Sequence, residues 1–213
     1  MIDRALGEIQ FNQADIDRKL LNYKYSLIIH EFEKYHISAN LNDQVSEQEI
    51  ENYYLERPEN FLLKQNIVKC LFAKIPRNTP GIRSFRRNIR SYPNANLDDI
   101  KDYCYQYANG AFTDEDVWLN FEEISVTTPL KEVKNPRQFL ETSTFSETSD
   151  QDFIYFFRIL DYKIINELAP LAFIQDNIEN IIINKRKILL KKDLEESIYE
   201  EAKVNQSFEI FAR

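Results

Sequence analysis

Residues 45–61, VSEQEIENYYLERPENF, run straight into LLKQNIVKCLFAKIP at 62–76, and this junction organises the whole chain. Ser46 and Glu49 stand three apart, as in a capping box. The hydroxyl of such a pair accepts from one free amide at a helix start, and the carboxylate reaches back to another. The spacing predicts a short helix over about 47–56, ended by Pro58. The next run, NIVKCLFAKI (66–75), predicts a strand with Val68, Cys70 and Phe72 on one face. Ile67, Leu71, Ala73 and Ile75 take the other face. Strands that are apolar on both faces belong in the middle of a sheet.

Upstream, EIQF (8–11) predicts a short extended piece, and Asn12 reads as a helix cap with Asp15 three residues on. From about 13 to 36 two apolar stripes share one helix. Ile16, Leu20, Tyr23 and Leu27 form the first, and Leu21, Tyr25, Ile28, Phe32 and Tyr35 the second. Two adjacent stripes predict a wide buried face. SANLND (38–43) ends that helix.

Downstream, PRNTPG (76–81) is a turn, and the basic run IRSFRRNIR after it is helical. LDDIKDYCYQYA (97–108) predicts another helix, from Leu97, Ile100, Cys104 and Tyr107 at spacings of three and four. VWLNFEEI (117–124) fits strand or helix, and TTPLKEVKNPRQFLETS holds a short helix at most. DFIYFFRILDYK (152–163) is the strongest strand, aromatic and branched on both faces. Ala169-Pro170 then opens a long helix, Pro being suited to a first turn. Unbroken to about residue 204, it would be roughly 50 Å long. The expected partner for so long a helix is the N-terminal helix pair, with SFEIF (207–211) as a last short strand.

Composition sets the outer bounds. The chain has 213 residues, 43% hydrophobic and 29% charged, enough for a proper core. A net charge of −8 argues against general nucleic-acid binding, which needs a basic face. No apolar run approaches transmembrane length. The opening MIDRALGEIQF carries no signal-peptide pattern, which leaves open both a cytoplasmic protein and one whose targeting segment lies outside this sequence. Cys70 and Cys104 have no CxxC spacing, and either a disulfide or two buried thiols fits them.

Few residues offer chemistry. His30 and His36 are six apart, about 240° around a helix, so they cannot share a metal from one face. No serine has a histidine placed to serve as its base, and glycine loops that cradle phosphates are missing. No metal and no cofactor is therefore expected. Cys70 reads as a core thiol on a strand. Arg83, Arg86, Arg87 and Arg90 form a basic stripe expected to pair with Asp98, Asp99 and Asp102 or to lie in solvent. KRKILLKK (185–192) reads as the wet side of the long helix, with Asp193, Glu195 and Glu196 as its acidic complement. The aromatic residues suggest a peptide groove, where rings grip apolar side chains without demanding one sequence. Phe72, Trp118, Phe121, Tyr155 and Phe157 are the candidate peptide-binding residues.

The run VSEQEIENYYLERPENF entering a strand resembles the segment that joins the chaperone region to the parvulin domain in SurA-like periplasmic folding factors. YFFRILDYK…ELAPLAFIQDNIENIIINKRK…LEESIYEEAK is similar to the end of such a module, where a last strand leads into a returning helix. The two matches cover roughly 100 residues, and the stretch from about 76 to 150 matches poorly. Active parvulins carry a histidine early in the first strand, where Cys70-Leu71-Phe72 stand here, and a second at the start of the last strand, near Tyr155. Their glycine-rich "GGdLG" loop has Asp116-Val117-Trp118-Leu119 as its nearest counterpart.

The resemblance implies an α+β fold. Residues 1–61 would give the N-terminal helical part of a chaperone body, 62–163 a degenerate parvulin-like module, and 164–213 a long helix returning to the first part. It implies a periplasmic holdase for unfolded or nascent envelope proteins and for proline- or aromatic-rich peptides. Two alternatives stay open: an active peptidyl-prolyl cis-trans isomerase with a divergent pocket, and a dedicated interaction subunit of a cell-envelope assembly. Oligomeric state is open as well.

Overall fold

The computed structural model describes residues 1–8, 12–126 and 128–208, and it has an α+β fold divided into two compact units. One unit comprises residues 48–178 and the other joins 1–47 to 179–213. Those divisions fall inside the first and third segments expected from sequence, because the short middle helix and the start of the long helix pack with the sheet.

The larger unit is built on the two apolar runs. β1 (Ile67–Pro76) and β5 (Phe153–Lys163) pair antiparallel along their whole length, with a register irregularity at Lys69/Cys70. β2 (Gly110–Phe112) and β3 (Leu119–Asn120) share the other edge of β1, and β4 (Phe145–Ser149) flanks β5. β1 and β5 are thus central, as their two-sided apolarity demands.

Each face of the sheet carries its own core. Leu71, Ala73, Ile75 and Phe156 pack against α4 (Ile82–Ser91) and α5 (Leu97–Tyr107) through Phe85, Ile89, Ile100 and Cys104. Val68, Cys70, Phe157 and Ile159 pack on the other side against Phe121, Leu130 and Leu140. Those last three come from α6 (Phe121–Val126), a 3-10 turn at Pro129–Glu132, and α7 (Pro136–Thr142). The two cysteines therefore lie in different cores on opposite faces, as free thiols.

The 76–81 turn ends on Gly81 in the left-handed region (φ 76°), the backbone shape that glycine adopts without a Cβ penalty. The Tyr103 hydroxyl braces this turn by donating to the Pro80 carbonyl at 2.9 Å. α3 (Glu47–Glu56) begins directly after Ser46. It joins the sheet unit through buried Ile50, through Tyr53 edge-on and Tyr54 tilted against Phe61, and through the Tyr54 hydroxyl, which donates to the Ala169 carbonyl at 2.8 Å.

α8 runs Leu171–Val204, and its first turns contribute buried Ile174 and Ile178 to the sheet unit. The rest of α8 belongs to the helical unit together with α1 (Ile2–Glu8) and α2 (Gln13–Asn40). The Asn12 side chain caps α2 by accepting from the Asp15 amide at 3.2 Å. Lys191 of α8 pairs with Glu33 of α2 at 3.0 Å, and the Arg186 guanidinium donates to the carbonyls of Asn42 and Gln44.

The wide buried face expected of α2 does not form: the helix has no buried residue. Its aromatic and aliphatic stripes face solvent, with Tyr23 64% and Tyr35 70% exposed. Leu194 is the sole buried hydrophobic residue of the helical unit among the described residues. The extended piece expected at 8–11 lies, past Glu8, outside the described residues, as does the strand expected at 207–211 beyond Phe208. Ser207 and Phe208 follow the end of α8, where the Phe208 ring packs on Tyr199 at 5.5 Å.

Candidate functional site

Two surfaces stand out, one in each unit. In the sheet unit, β5 carries Tyr155 to the rim of an open cavity of about 340 Å³. Val126, Thr128, Pro129 and Lys131 form one wall, and Ser149 with Asp150 the other. The β4–β5 turn places Asp150 by local hydrogen bonding. One carboxylate oxygen accepts from the amides of Asp152 and Phe153, at 2.9 and 2.8 Å. The other accepts from the Tyr155 hydroxyl at 2.6 Å.

That bond, helped by the Phe153 amide, holds the Asp150 carboxyl below its usual range. It also pushes the Tyr155 phenol up to about 12, because deprotonating it would set two anions face to face. The pair is thus a neutral phenol donating to a fixed carboxylate. It offers polar anchoring and has no group poised to exchange a proton near neutral pH.

The aromatic candidates behind this rim occupy different depths. Phe72 is half-buried and lies 6.5 Å from Tyr155, centroid to centroid. Phe121 and Phe157 meet edge to face at 6.2 Å, and both are sealed in the core, Phe157 being 2% exposed. Trp118 stands apart from this cluster, half-buried, with the Lys69 ammonium 5.6 Å from its ring. Leu130, Leu140 and Phe139 fill the space that a deep groove beside Phe157 would need.

Cys70 lies in the same core with no exposure, and burial pushes its thiol up to about 12. A thiol in that state is not a nucleophile near neutral pH. Asp116, the first residue of the stretch that stands for the glycine-rich loop, is exposed and approaches Lys69 at 3.8 Å. Sequence reasoning missed Asp150, which sits in a polar turn. The available signal was its spacing of five from Tyr155 across a hairpin.

The second surface belongs to the helical unit. Ile16, Leu20, Tyr23 and Leu27 line one side of α2, and the last three are exposed. The same side continues into an open cavity of about 390 Å³ against α8. Its lining includes His30, Lys34, Ile37, Leu41 and Lys187. An apolar strip thus leads into a partly walled hollow edged by Lys34 and Lys187 together with Glu33. His30 takes part as wall, and His36 lies off it.

The basic stripe lies mostly in solvent, one of the two outcomes read from sequence, with Arg83, Arg87 and Arg90 exposed. Arg86 makes a two-pronged bond to Glu147 of β4, both at 2.8 Å, and no ion pair joins α4 to Asp98, Asp99 or Asp102 among the described residues. On α8, Lys191 and Lys192 reach Glu195 and Glu196 at 3.9 and 3.4 Å, the local complement read from sequence. Among the described residues, no group of three or more His, Cys, Asp and Glu side chains could hold a metal. No helix there is long and apolar enough to cross a membrane.

No family model and no curated protein matches this chain. A solved chain from a pair of structurally related SurA-like chaperones of the human pathogen Campylobacter jejuni, the virulence factor PEB4 and the periplasmic protein Cj1289, is similar to it at 10% identity. The alignment covers 92% of this chain and 74% of that one, with a TM-score of 0.31.

Proposed function

We propose that this protein is a folding chaperone of the cell envelope that holds unfolded segments and does no chemistry on them. The observation that carries the reading is the exposed strip Leu20–Tyr23–Leu27, flanked by half-buried Ile16 and continuing into the hollow walled by Ile37 and Leu41. Contiguous apolar surface is costly to leave in water, and on a folded protein it marks a binding site. Rings and aliphatic chains spaced along a helix grip apolar side chains with little sequence preference, which suits a general holder.

In this reading the clients are unfolded or nascent envelope proteins, and proline- or aromatic-rich segments are their natural handles. The SurA-like sequence resemblance supplies the periplasm as the compartment. Within the sheet unit, Phe72, Trp118 and the edge of Tyr155 would touch a passing peptide, with Phe121 and Phe157 as rigid backing. The sealed Cys70 thiol supports a non-catalytic module.

The test is suppression of aggregation for several unrelated unfolded proteins at stoichiometric ratios. Protection of most of them is expected, and protection of none overturns the reading. One tight partner recovered with no general protection would establish a dedicated interaction subunit instead. A protease-coupled proline-peptide assay addresses catalysis. Turnover that vanishes in Cys70→Ala or Tyr155→Phe would overthrow the non-catalytic claim.

A further inference from the structure

The second stripe of α2 has a different geometry from the first. Leu21, Tyr25, Ile28, Phe32 and Tyr35 follow one another at spacings of four, three, four and three. This is the heptad repeat, whose seam stays in line with a neighbouring helix over many turns. All five side chains are exposed, from 46% at Leu21 to 70% at Tyr35. α8 does not cover them. It meets α2 at Glu33 and around Ile37 and Leu41, which lie roughly 120–160° around the helix from the seam at 3.6 residues per turn.

The flank of the seam identifies the occupant. Lys24 and Glu31 are seven residues apart on the same edge, both exposed, and neither has an ion partner among the described residues. We propose that a second copy of this chain pairs antiparallel along the seam, Tyr25 of each copy packing on Ile28 of the other. In that register Leu21 meets Phe32, and the Arg18 guanidinium comes over the Tyr35 ring. Lys24 of each copy then faces Glu31 of the other, giving two equivalent ion pairs about the two-fold axis.

A parallel pairing fails on the same residues. It sets Arg18 against Arg18 and turns Lys24 toward Ile29, with no opposite charge in reach. The antiparallel seam runs about 25 Å from Arg18 to Tyr35 at 1.5 Å per residue. It supplies the helical unit with the apolar contact that Leu194, its one buried residue among those described, does not. The client strip lies on the other side of α2 and stays open, so the self-pairing stands independently of the chaperone reading.

Sedimentation equilibrium of the whole chain, from submicromolar to several hundred micromolar, tests the proposal. A monomer–dimer equilibrium is expected. Lys24→Glu and Glu31→Lys each turn two attractions into repulsions and should raise the dissociation constant about tenfold. The double variant restores both pairs with the charges exchanged, and its affinity should return to near that of the parent. Both sites are on the helix surface, so unchanged far-UV ellipticity shows that the variants fold. A chain that stays monomeric throughout overturns the proposal. So does a dimer indifferent to the single changes, or one that the double exchange fails to restore.

Discussion

The sheet unit and the helical unit draw on similar side chains and use them in opposite ways. β1 and β5 bury Val68, Leu71, Phe156, Phe157 and Ile159 between two layers of helices. α2 holds Leu, Ile, Tyr and Phe at helical spacing and buries none of them. A strand surrounded by other elements within 110 residues of chain finds cover locally. α2, which α8 meets at Glu33, does not among the described residues. An apolar pattern therefore predicts that a face will be covered, and whether the cover comes from the same chain is a separate question.

Breaking the buried side should show the largest effect. Phe157→Ala opens a cavity between Phe121 and Ile159 and should cost about 3–5 kcal/mol of unfolding free energy, read by urea denaturation. A loss below about 1 kcal/mol would mean that this core is far looser than its burial implies. On the bare side, the double change Leu20→Ser and Leu27→Ser should shift stability by no more than about 0.5 kcal/mol per site in dilute protein. The same change should reduce protection of unfolded clients severalfold. The comparison breaks if stability falls and protection does not.

The thiols sharpen the contrast chemically. Burial pushes both Cys70 and Cys104 up to about 12, so a disulfide reagent should leave them unmodified at pH 8 and react with both in denaturant. The fold holds these protons more tightly than the unfolded chain, whose thiols titrate near 8.5. Their contribution to stability is accordingly full below that point and falls as pH rises toward 12. The smallest effect belongs to Tyr155→Phe. Losing the phenol removes the main cause of the low Asp150 value, so the carboxyl should titrate closer to its ordinary range, followed by NMR. The stabilisation linked to Asp150 is present above the unfolded carboxyl value and is lost as pH falls below it.

What could be read from sequence follows the same division. The runs at 66–75 and 152–163 announce central strands because both faces are apolar, and α4 and α5 follow from helical spacing. β4, FSETS, escapes notice because an edge strand can be polar on both faces. β3 and α6 divide VWLNFEEI between them, which is why that stretch fitted strand and helix alike. The aromatic residues of the candidate groove were legible as a group. Their depth was not, since the filling side chains Leu130 and Leu140 come from a stretch with little periodicity. The same is true of α2: its stripes are plain in the sequence, and the missing partner is a property of three-dimensional arrangement alone.

The helical unit is assembled from the first and last parts of the chain, with residues 48–178 between them. During synthesis at about 5–20 residues per second, α2 emerges on the order of ten seconds before the α8 residues that pair with Glu33 and Asn42. The sheet unit can close in that interval because its strands are already made. For the same interval Glu33 and the carbonyls of Asn42 and Gln44 wait for Lys191 and Arg186, so the helical unit is the last part of the chain to close.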